Sequence, residues 1–336
     1  MQVGSDSFYS LGLTSILKGQ DATTAKTKDF PMSPSYSVGA GLGLAARDSI
    51  DPNSQYGYVP KEYVAIIFVV LFGLSLGLHI AQATYYRMWW LFPTACLCAL
   101  GEVIGWSGRL WSSFSPGLYN PFLIQICCTV IAPTPLIAVN FILLSWVVTR
   151  LGSVYSRLTP IQYAIVFLSC DIIALVVQAV GGALASAADT LAGANQGAHI
   201  MLAAIVFQFV ALVVYSLLAA DFFYNYTKDR PVRKPAPGDA SGYPAGRGLI
   251  DGKLRVMIYA VAFSTLMLFI RGIYRIVELA GGWEGRVLHT EVYFNVLDGA
   301  AVVLALYSTN IVHPGRFIGS RRPAPAGSPS RGTELK

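Results

Sequence analysis

Charged residues lie inside two long apolar runs near the C-terminal end of the sequence, where they could form ion pairs or bind a cation. The spacing i, i+4, i+7 puts each set on one helical face: Arg271, Arg275 and Glu278 in the first run, and Glu291, Asn295 and Asp298 in the second. A charge at the centre of a bilayer costs about 2.5 to 3.5 kcal/mol on insertion scales, so such residues need partners. A short turn from Gly281 to Gly285 joins the two runs, and we predict that the two charged faces meet.

The composition predicts the elements that must hold these residues. Of the 336 residues, 54% are hydrophobic and only 12% are charged, and the mean hydropathy is +0.54. These values are typical of a polytopic membrane protein, so we predict an all-α bundle. The five cysteines all fall in apolar runs without the spacing of metal ligands, and we interpret them as small apolar residues.

Seven apolar runs are long enough to cross a hydrocarbon core of about 30 Å. They cover residues 62–82, 88–109, 121–148, 161–186, 199–222, 254–280 and 290–312. The third run contains Pro133 and Pro135, so we expect it to kink or tilt. Residues 1–60 are rich in Ser, Gly, Thr and Pro without periodicity, which predicts a disordered tail before the membrane domain of residues 61–313. Residues 314–336 are expected to form a second disordered tail.

The distribution of basic residues predicts the orientation of the bundle. Fifteen Lys and Arg residues lie in or at the edges of the loops after helices 1, 3 and 5 and in the C-terminal tail. Only two lie in or at the edges of the loops after helices 2, 4 and 6, and the N-terminal tail holds five spread over sixty residues. By the positive-inside rule, the N-terminus is outside and the C-terminus is cytoplasmic. The net charge of +6 therefore follows from topology, and we predict no nucleic-acid partner.

Counting about 1.5 Å per residue along each helix brings the polar residues to one layer in the outer half of the bundle, with one acid just beneath it. The predicted site residues are Glu102, Arg109, Asp171, Gln178, Arg271, Tyr274, Arg275, Glu278, Glu291, Asn295 and Asp298.

Two interpretations of this layer stay open. It can be an internal network of ion pairs that binds nothing, or it can be a site. The layer has five acids against three bases, and the surplus acid needs water, a proton or a cationic ligand. We hypothesise a hydrated cavity that opens to the outer face, in which Glu102, Glu278 or Asp298 receives a cationic head group.

The same residues argue against several classes of membrane protein. The four histidines do not converge at one depth as zinc ligands would, since His79 and His313 fall at the cytoplasmic ends and His199 and His289 at the outer ends of their helices. A retinal protein needs a lysine within a span to form the Schiff base, and this sequence has none there. The sequence also lacks the GxxxxGK(S/T) phosphate-binding loop, which argues against an ATPase. We predict a protein that is not an enzyme and has neither a cofactor nor a metal site.

Several motifs taken together resemble one family, the fungal seven-helix lipid-translocating exporters that include aminocholesterol-resistance and sphingoid-base-export proteins. The resemblance covers residues 58–315. Its motifs are Glu102-x-x-Gly105-x-x-x-Arg109, Asp171-x6-Gln178-x-x-Gly181-Gly182, Arg271-x-x-Tyr274-Arg275-x-x-Glu278, Gly285 followed by Glu291 and Asp298, and the closing His313-Pro314-Gly315. The sequence departs from the family at Trp106, where Tyr is usual, and at Leu144-Ser145-Trp146, which stands in place of Leu-Gly-Arg.

The resemblance implies a multi-pass exporter that moves amphiphiles such as sphingoid long-chain bases or sterol amines and confers resistance to them. Its partners would be membrane lipids and an amphiphilic substrate, with the plasma membrane as the expected location and an endomembrane as the alternative. A second hypothesis is a receptor-like sensor of lipid asymmetry or stress, because seven helices with an outer N-terminus are also the topology of G-protein-coupled receptors. Against it, no acid precedes Arg150 at the end of helix 3, and helix 7 lacks an Asn-Pro-x-x-Tyr run.

Overall fold

The structure is a computed structural model that describes residues 56–233, 248–282 and 285–317. Most of the first predicted tail and nearly all of the second lie outside these residues. The described chain is helical, and seven of its helices are long and apolar enough to cross a membrane. They are α1 Glu62–Tyr85, α2 Trp89–Phe114, α3 Tyr119–Leu151, α4 Pro160–Ala187, α5 Leu191–Thr227, α6 Gly252–Ala280 and α7 Glu291–Arg316.

The predicted all-α fold with seven spans is confirmed, whereas the orientation of the termini stays a prediction. The largest difference from the predicted bounds is in α5, which begins eight residues earlier than expected. The Thr190 side chain accepts a hydrogen bond from the Gly193 N–H and caps the helix there. Small residues in this first part of α5 allow it to lie against α4, and a Cβ atom on Gly197 would collide with Ala185.

Three of the helices are irregular at defined residues. As predicted from its prolines, α3 is interrupted, and its segments Tyr119–Ile131 and Thr134–Leu151 meet at Ala132 and Pro133. Both α2 and α7 contain a stretch of π-helix, at Phe92–Cys96 and Phe294–Ala300. Such stretches are rare and frequently mark functional sites, and the second one contains Asp298.

The interrupted helix α3 lies at the centre of the bundle. In the most apolar part of α3, 67% of the residues are buried, compared with 28% in α1 and in α4. Glycines allow neighbouring helices of the bundle to approach closely. A Cβ atom on Gly105 of α2 would lie 2.7 Å from the Thr129 side chain of α3, and one on Gly181 of α4 would lie 2.8 Å from the Met201 backbone nitrogen of α5. These contacts bring α2 close to α3 and α4 close to α5.

Residues 56–60, which were expected to end a disordered tail, instead pack onto the bundle. Tyr56 and Tyr58 are 2% and 3% exposed. The Tyr56 ring meets Phe122 edge to face, with the ring centroids 4.9 Å apart. The local composition is polar and Gly-rich, but the two aromatic rings bury enough apolar surface to hold this short segment in place.

Candidate functional site

Arg275 is the centre of the predicted polar layer. It is fully buried and donates four hydrogen bonds. Two go to Asp298, at 2.8 Å from Nε and 2.6 Å from Nη2, in the bidentate geometry that makes such pairs strong. The others go to Glu278 at 2.7 Å and to the Thr129 hydroxyl at 2.9 Å. Glu278 also accepts a bond of 2.7 Å from the Tyr274 hydroxyl. The predicted meeting of the two charged faces is therefore observed.

Arg271 joins this group through the break in α3. Its Nε lies 3.1 Å from Asp298 Oδ1, although the N–H is not aligned for a hydrogen bond. Its Nη2 donates to the backbone oxygens of Thr129 and Val130 at 2.7 and 3.1 Å. Because Pro133 has no N–H to donate, the Thr129 oxygen lacks its usual helical partner, and the guanidinium takes that place. We call Arg271, Arg275, Glu278 and Asp298 the arginine cluster.

A second ion pair lies closer to the start of α1. Arg109 donates to Glu291 at 3.2 Å and to the Tyr58 hydroxyl at 3.0 Å. Glu291 also accepts a bond of 2.9 Å from the Lys61 backbone N–H, and the Lys61 ammonium lies 3.9 Å away. Burial raises the pKa of the Tyr56 phenol to about 12, against the opposing effect of Arg109. The segment before α1 therefore closes this end of the layer.

Phe294 separates the two guanidinium groups. The guanidinium carbons (Cζ) of Arg109 and Arg275 lie 4.8 and 5.3 Å from the centroid of its ring. Trp106 packs on the same ring at 5.2 Å and stacks on Phe68 at 4.0 Å. Aromatic faces attract buried cations. The Phe294 ring therefore contributes to holding both guanidinium groups in place, although no acid lies between them.

Glu102 is the exception in this layer. Its side chain is fully buried, and neither carboxylate oxygen has a hydrogen-bond partner among the residues that the structure describes. The indole N–H of Trp106, one helical turn along, interacts with this carboxylate but does not reach hydrogen-bond geometry. Glu102 interacts electrostatically with Asp298, Arg271 and Arg275, but both arginines are bonded to other groups. Glu102 is therefore one of the two acids that the predicted surplus leaves without a basic partner among the described residues, and Asp171 is the other.

Asp171 and Gln178 form a separate chain of hydrogen bonds between α4 and α5. Gln208 donates to Asp171 at 3.2 Å and accepts from Gln178 at 3.0 Å. Oδ2 of Asp171 and Oε1 of Gln178 have no hydrogen-bond partner in the described part of the chain. No hydrogen bond or ion pair between described residues joins this chain to the arginine cluster. The two sets lie in the same bundle as predicted, but as neighbouring groups.

The polar layer is closely packed. The cavity that Arg109, Gln125 and Glu278 line has a volume of about 10 Å³, room for about one water molecule. The amide oxygen of Asn295 is buried and has no hydrogen-bond partner among the described residues. Tyr56, Tyr58 and Phe294 also line this small cavity, whereas Glu102 does not. The open, hydrated cavity that the sequence suggested stays a prediction.

Several residues of the site could not be found from charge patterns. Thr129 and Gln208 each complete a chain of hydrogen bonds, yet a lone Thr or Gln in an apolar run carries no signal of its partner. Tyr58 and Lys61 precede the first span, where no helical spacing applies. Their position directly before α1 was the available signal, since residues there lie at the level where α7 begins.

The two departures from the resembled family have structural roles. Trp106 provides the ring that packs on Phe68 and Phe294. In α3, the Ser145 hydroxyl donates to the Pro160 carbonyl oxygen at 2.6 Å, and Trp146 meets Trp90 edge to face at 5.5 Å. These contacts join α3 to the start of α4 and to α2. Within the described residues, no group of three or more His, Cys, Asp or Glu side chains could hold a metal ion.

Comparison with known proteins identifies the relatives of the chain. The sphingoid long-chain base transporter RSB1 of Saccharomyces cerevisiae is 28% identical over 284 residues, which are 78% of this chain and 74% of the relative. Protein RTA1 of the same yeast is 23% identical over 77% of this chain and 84% of its own length. The probable lipid transporter atnI of Emericella nidulans is 26% identical over 80% of this chain and 72% of its own length.

No solved structure matches the chain. The model of the family described as RTA1-like protein matches residues 95–321, which include most of α2, all of α3 to α7 and every predicted site residue. With seven apolar helices in its described part, the chain is a multi-pass membrane protein. It belongs to the RTA1-like protein family.

Proposed function

We propose that this protein is a transporter of amphiphilic lipids with a cationic head group, of which sphingoid long-chain bases are the leading candidates, and that it is not an enzyme. The observation that carries the proposal is Glu102, a fully buried acid without a hydrogen-bond partner among the described residues. The names of two relatives support the substrate class, since one is a sphingoid long-chain base transporter and the other a probable lipid transporter.

The physical argument concerns the cost of leaving Glu102 in this state. An ionised carboxylate buried without a partner costs several kcal/mol. The neighbouring arginines cannot remove this cost because Asp298 and Glu278 already engage Arg275, and backbone oxygens engage Arg271. A proton or an ammonium group removes it. An amine-headed lipid would supply the charge while its chain stays along the apolar helix surfaces.

The geometry supports a transport cycle in which the rings around Phe294 open and close. Tyr56, Tyr58 and Phe294 line the small cavity and close the layer at the end where α1 begins. When they part, the ammonium group reaches Glu102 and replaces the proton that neutralises the acid in the closed state. Protonation of Glu102 then releases the lipid. Resistance to toxic amphiphiles, with the plasma membrane as the site of action, follows from such export.

Reconstitution of the pure protein in liposomes with a fluorescent sphingoid base tests this proposal. Albumin added outside extracts the probe from the outer leaflet, so the rate of probe loss measures movement between leaflets. We expect Glu102→Gln to slow this movement by about ten-fold or more, because a hydrogen bond to a charged group is worth roughly 1.5 to 3 kcal/mol. Glu62→Gln is the matched control, since Glu62 is exposed at the start of α1. Equal rates for wild type and Glu102→Gln would contradict the proposal.

The same assay distinguishes the receptor-like alternative. A sensor would bind the sphingoid base, as measured by quenching of tryptophan fluorescence, but would leave the rate of probe movement at that of protein-free liposomes. Binding without movement would therefore reject the transporter.

A further inference from the structure

Asp171 is a buried acid in the middle of α4 that is not part of the arginine cluster. Its side chain is 2% exposed. It belongs to the stripe of buried residues that α4 turns towards the bundle, between Phe167 on one side and Ala174 and Gln178 on the other. An ionised carboxylate in such a position is strongly unfavourable unless it is paired. Asp171 therefore needs either a positive partner or a proton.

The groups packed around Asp171 supply no positive charge. From α5, the neutral amide of Gln208 faces the carboxylate. Within α4, the adjacent Cys170 thiol interacts with it electrostatically, and no basic side chain among the described residues does so. Two tyrosines on the same faces are engaged elsewhere, since Tyr215 donates to the Asn140 backbone oxygen and Tyr163 accepts from Ser156. The remaining titratable side chains of α3 and α5 are thiols or lie towards the helix ends: Tyr119, Cys127, Cys128, Arg150, His199, Asp221, Tyr224 and Tyr226.

Two glutamines connect to Asp171 in a chain of hydrogen bonds. Gln208 Nε2 donates to Asp171 Oδ1 at 3.2 Å, which is longer than the roughly 2.7–2.9 Å of a bond between a cation and a carboxylate. Gln178 Nε2 donates in turn to Gln208 Oε1 at 3.0 Å. Asp171 Oδ2 and Gln178 Oε1 have no hydrogen-bond partner in the described part of the chain. One bond from a neutral amide does not compensate a buried negative charge, whereas a proton removes the charge.

The chain of hydrogen bonds can run in either direction. A side-chain amide carries its acceptor oxygen and its donor nitrogen at equivalent positions, so a half-turn of the amide exchanges them. With Asp171 ionised, the chain runs from Gln178 through Gln208 to the carboxylate, as observed. With a proton on Asp171, its O–H can donate to Gln208, and Gln208 can donate to Gln178. Both directions keep two hydrogen bonds, but only the second removes the buried charge.

The outer end of this chain lies next to the closest contacts of α4. Gln178 precedes Gly181 and Gly182 by one helical turn. A Cβ atom on Gly181 would lie 2.8 Å from the Met201 backbone nitrogen of α5, and one on Gly182 would lie 3.4 Å from the Cys127 sulfur of α3. Reversal of the chain changes the unbonded group of Gln178 at this position from an oxygen to an NH2 group. Because the helices are in close contact and Asp171 is buried, exchange of a proton with water requires α4 to move relative to its neighbours.

We propose that Asp171 is a reversible proton-binding site and that Gln208 and Gln178 reverse their amides when the proton binds. The proton comes from water and returns to it, an O–H bond forms on Asp171, and no other covalent bond changes. The site rests on the contacts of α4 and α5 alone, whereas its use in lipid transport rests on the proposed function. In transport it would couple movement of α4 to proton uptake, separately from the exchange at Glu102.

Infrared difference spectra of the full-length protein in liposomes test this proposal. Aspartate and glutamine are labelled with 13C in their side-chain carbonyl groups, which separates the Asp171 signal from that of Glu102. As the pH falls from about 9 to about 3, a range that includes the titration of most carboxyl groups, the C=O band of protonated Asp171 should appear. Glutamine C=O bands should shift with the same midpoint. An Asp171 band that is absent at every pH, or unchanged at every pH, would overturn the site.

Two variants assign these bands. Asp171→Asn should abolish both the Asp171 band and the glutamine shift that accompanies it. Asp221→Asn is the matched control, because Asp221 pairs with Arg157 near the end of α5, and it should leave the coupled glutamine shift intact. If Asp171→Asn does not fold, wild type alone still decides, since different midpoints for the aspartate and glutamine bands would reject the reversal.

These spectra do not depend on lipid movement. An Asp171 that titrates in a protein that moves no lipid would reject the transporter alone. Movement of lipid by a protein in which Asp171 does not titrate would reject the proton site alone.

Discussion

Replacement of Arg275 by Met tests whether ion pairing in the arginine cluster stabilises the bundle. The side chain is fully buried and donates four hydrogen bonds. Met keeps much of its length but removes every donor. Glu278 then loses its ion-pair partner, while Asp298 keeps only Arg271. Since removal of one partner from a buried ion pair costs about 3–5 kcal/mol, we expect a loss of stability in that range.

Thermal unfolding of the detergent-solubilised protein measures this loss. A thiol-reactive fluorescent dye can follow unfolding because Cys96 and Cys98 are buried in the folded protein, whereas the half-buried Cys127, Cys128 and Cys170 contribute a baseline that is measured before heating. At roughly 2–4 °C per kcal/mol, as for soluble domains of about 150–250 residues, the midpoint should fall by about 6–20 °C. Arg157→Met is the matched control. This substitution also removes an ion pair, in which Arg157 Nε lies 2.8 Å from Asp221 Oδ2. Because the Arg157 side chain is 60% exposed, the loss of stability should be much smaller.

A double variant separates the loss of a pair from the loss of packing. In Arg275→Met, Glu278 is left buried without its cation. Adding Glu278→Gln removes that unpaired charge, so part of the lost stability should return. If Arg275→Met unfolds within about 2 °C of wild type, the ion pairs contribute little and the reasoning fails. If the double variant is less stable than Arg275→Met alone, an unpaired Glu278 is not the source of the loss.

Three further changes test the close packing, the hydroxyl at the break in α3 and the segment before α1. Gly181→Ala should lower the midpoint by several degrees because a Cβ atom would collide with α5, whereas Gly77→Ala, with nothing within 4 Å, should preserve or raise it. Thr129→Val removes a bond of 2.9 Å to Arg275 and should cost about 1–3 kcal/mol in the same assay; an unchanged midpoint would show that this donor finds another acceptor. Burial raises the pKa of Tyr56 from 10.0 to about 12, so its contribution to stability is complete below pH 10 and is lost as the pH rises towards 12. Tyr56→Phe should reduce that loss in unfolding midpoints taken across this range, and an identical pH profile would contradict it.

The sequence predicts the fold well because length and hydropathy nearly determine it. A run of about 20 apolar residues crosses a bilayer as a helix, since no other backbone conformation satisfies its own hydrogen bonds there. The break in α3 was also predictable, because Pro133 and Pro135 remove N–H donors. The early start of α5 was not. Its first turns hold Gly and Ala rather than large apolar residues, and only packing against α4 shows why they are helical.

The site was predictable in its members but only partly in its pairing. Helical spacing correctly brought Arg275 to Asp298, because i, i+4 and i+7 place residues on one face. Spacing does not give the rotation of one helix against another. It could not show that Asp171 would pair with Gln208 rather than with an arginine, or that Glu102 rather than Glu278 would be left over.

The break in α3 offers a physical reason why Glu102 is left over. Arg271 lies within electrostatic reach of Glu102. Its Nη2 is instead held by the Thr129 and Val130 oxygens, and the first of these is free because Pro133 cannot donate to it. A regular helix would satisfy that oxygen and release the guanidinium to neutralise Glu102. The proline thus keeps an arginine away from the acid that we propose binds the ammonium group of a lipid.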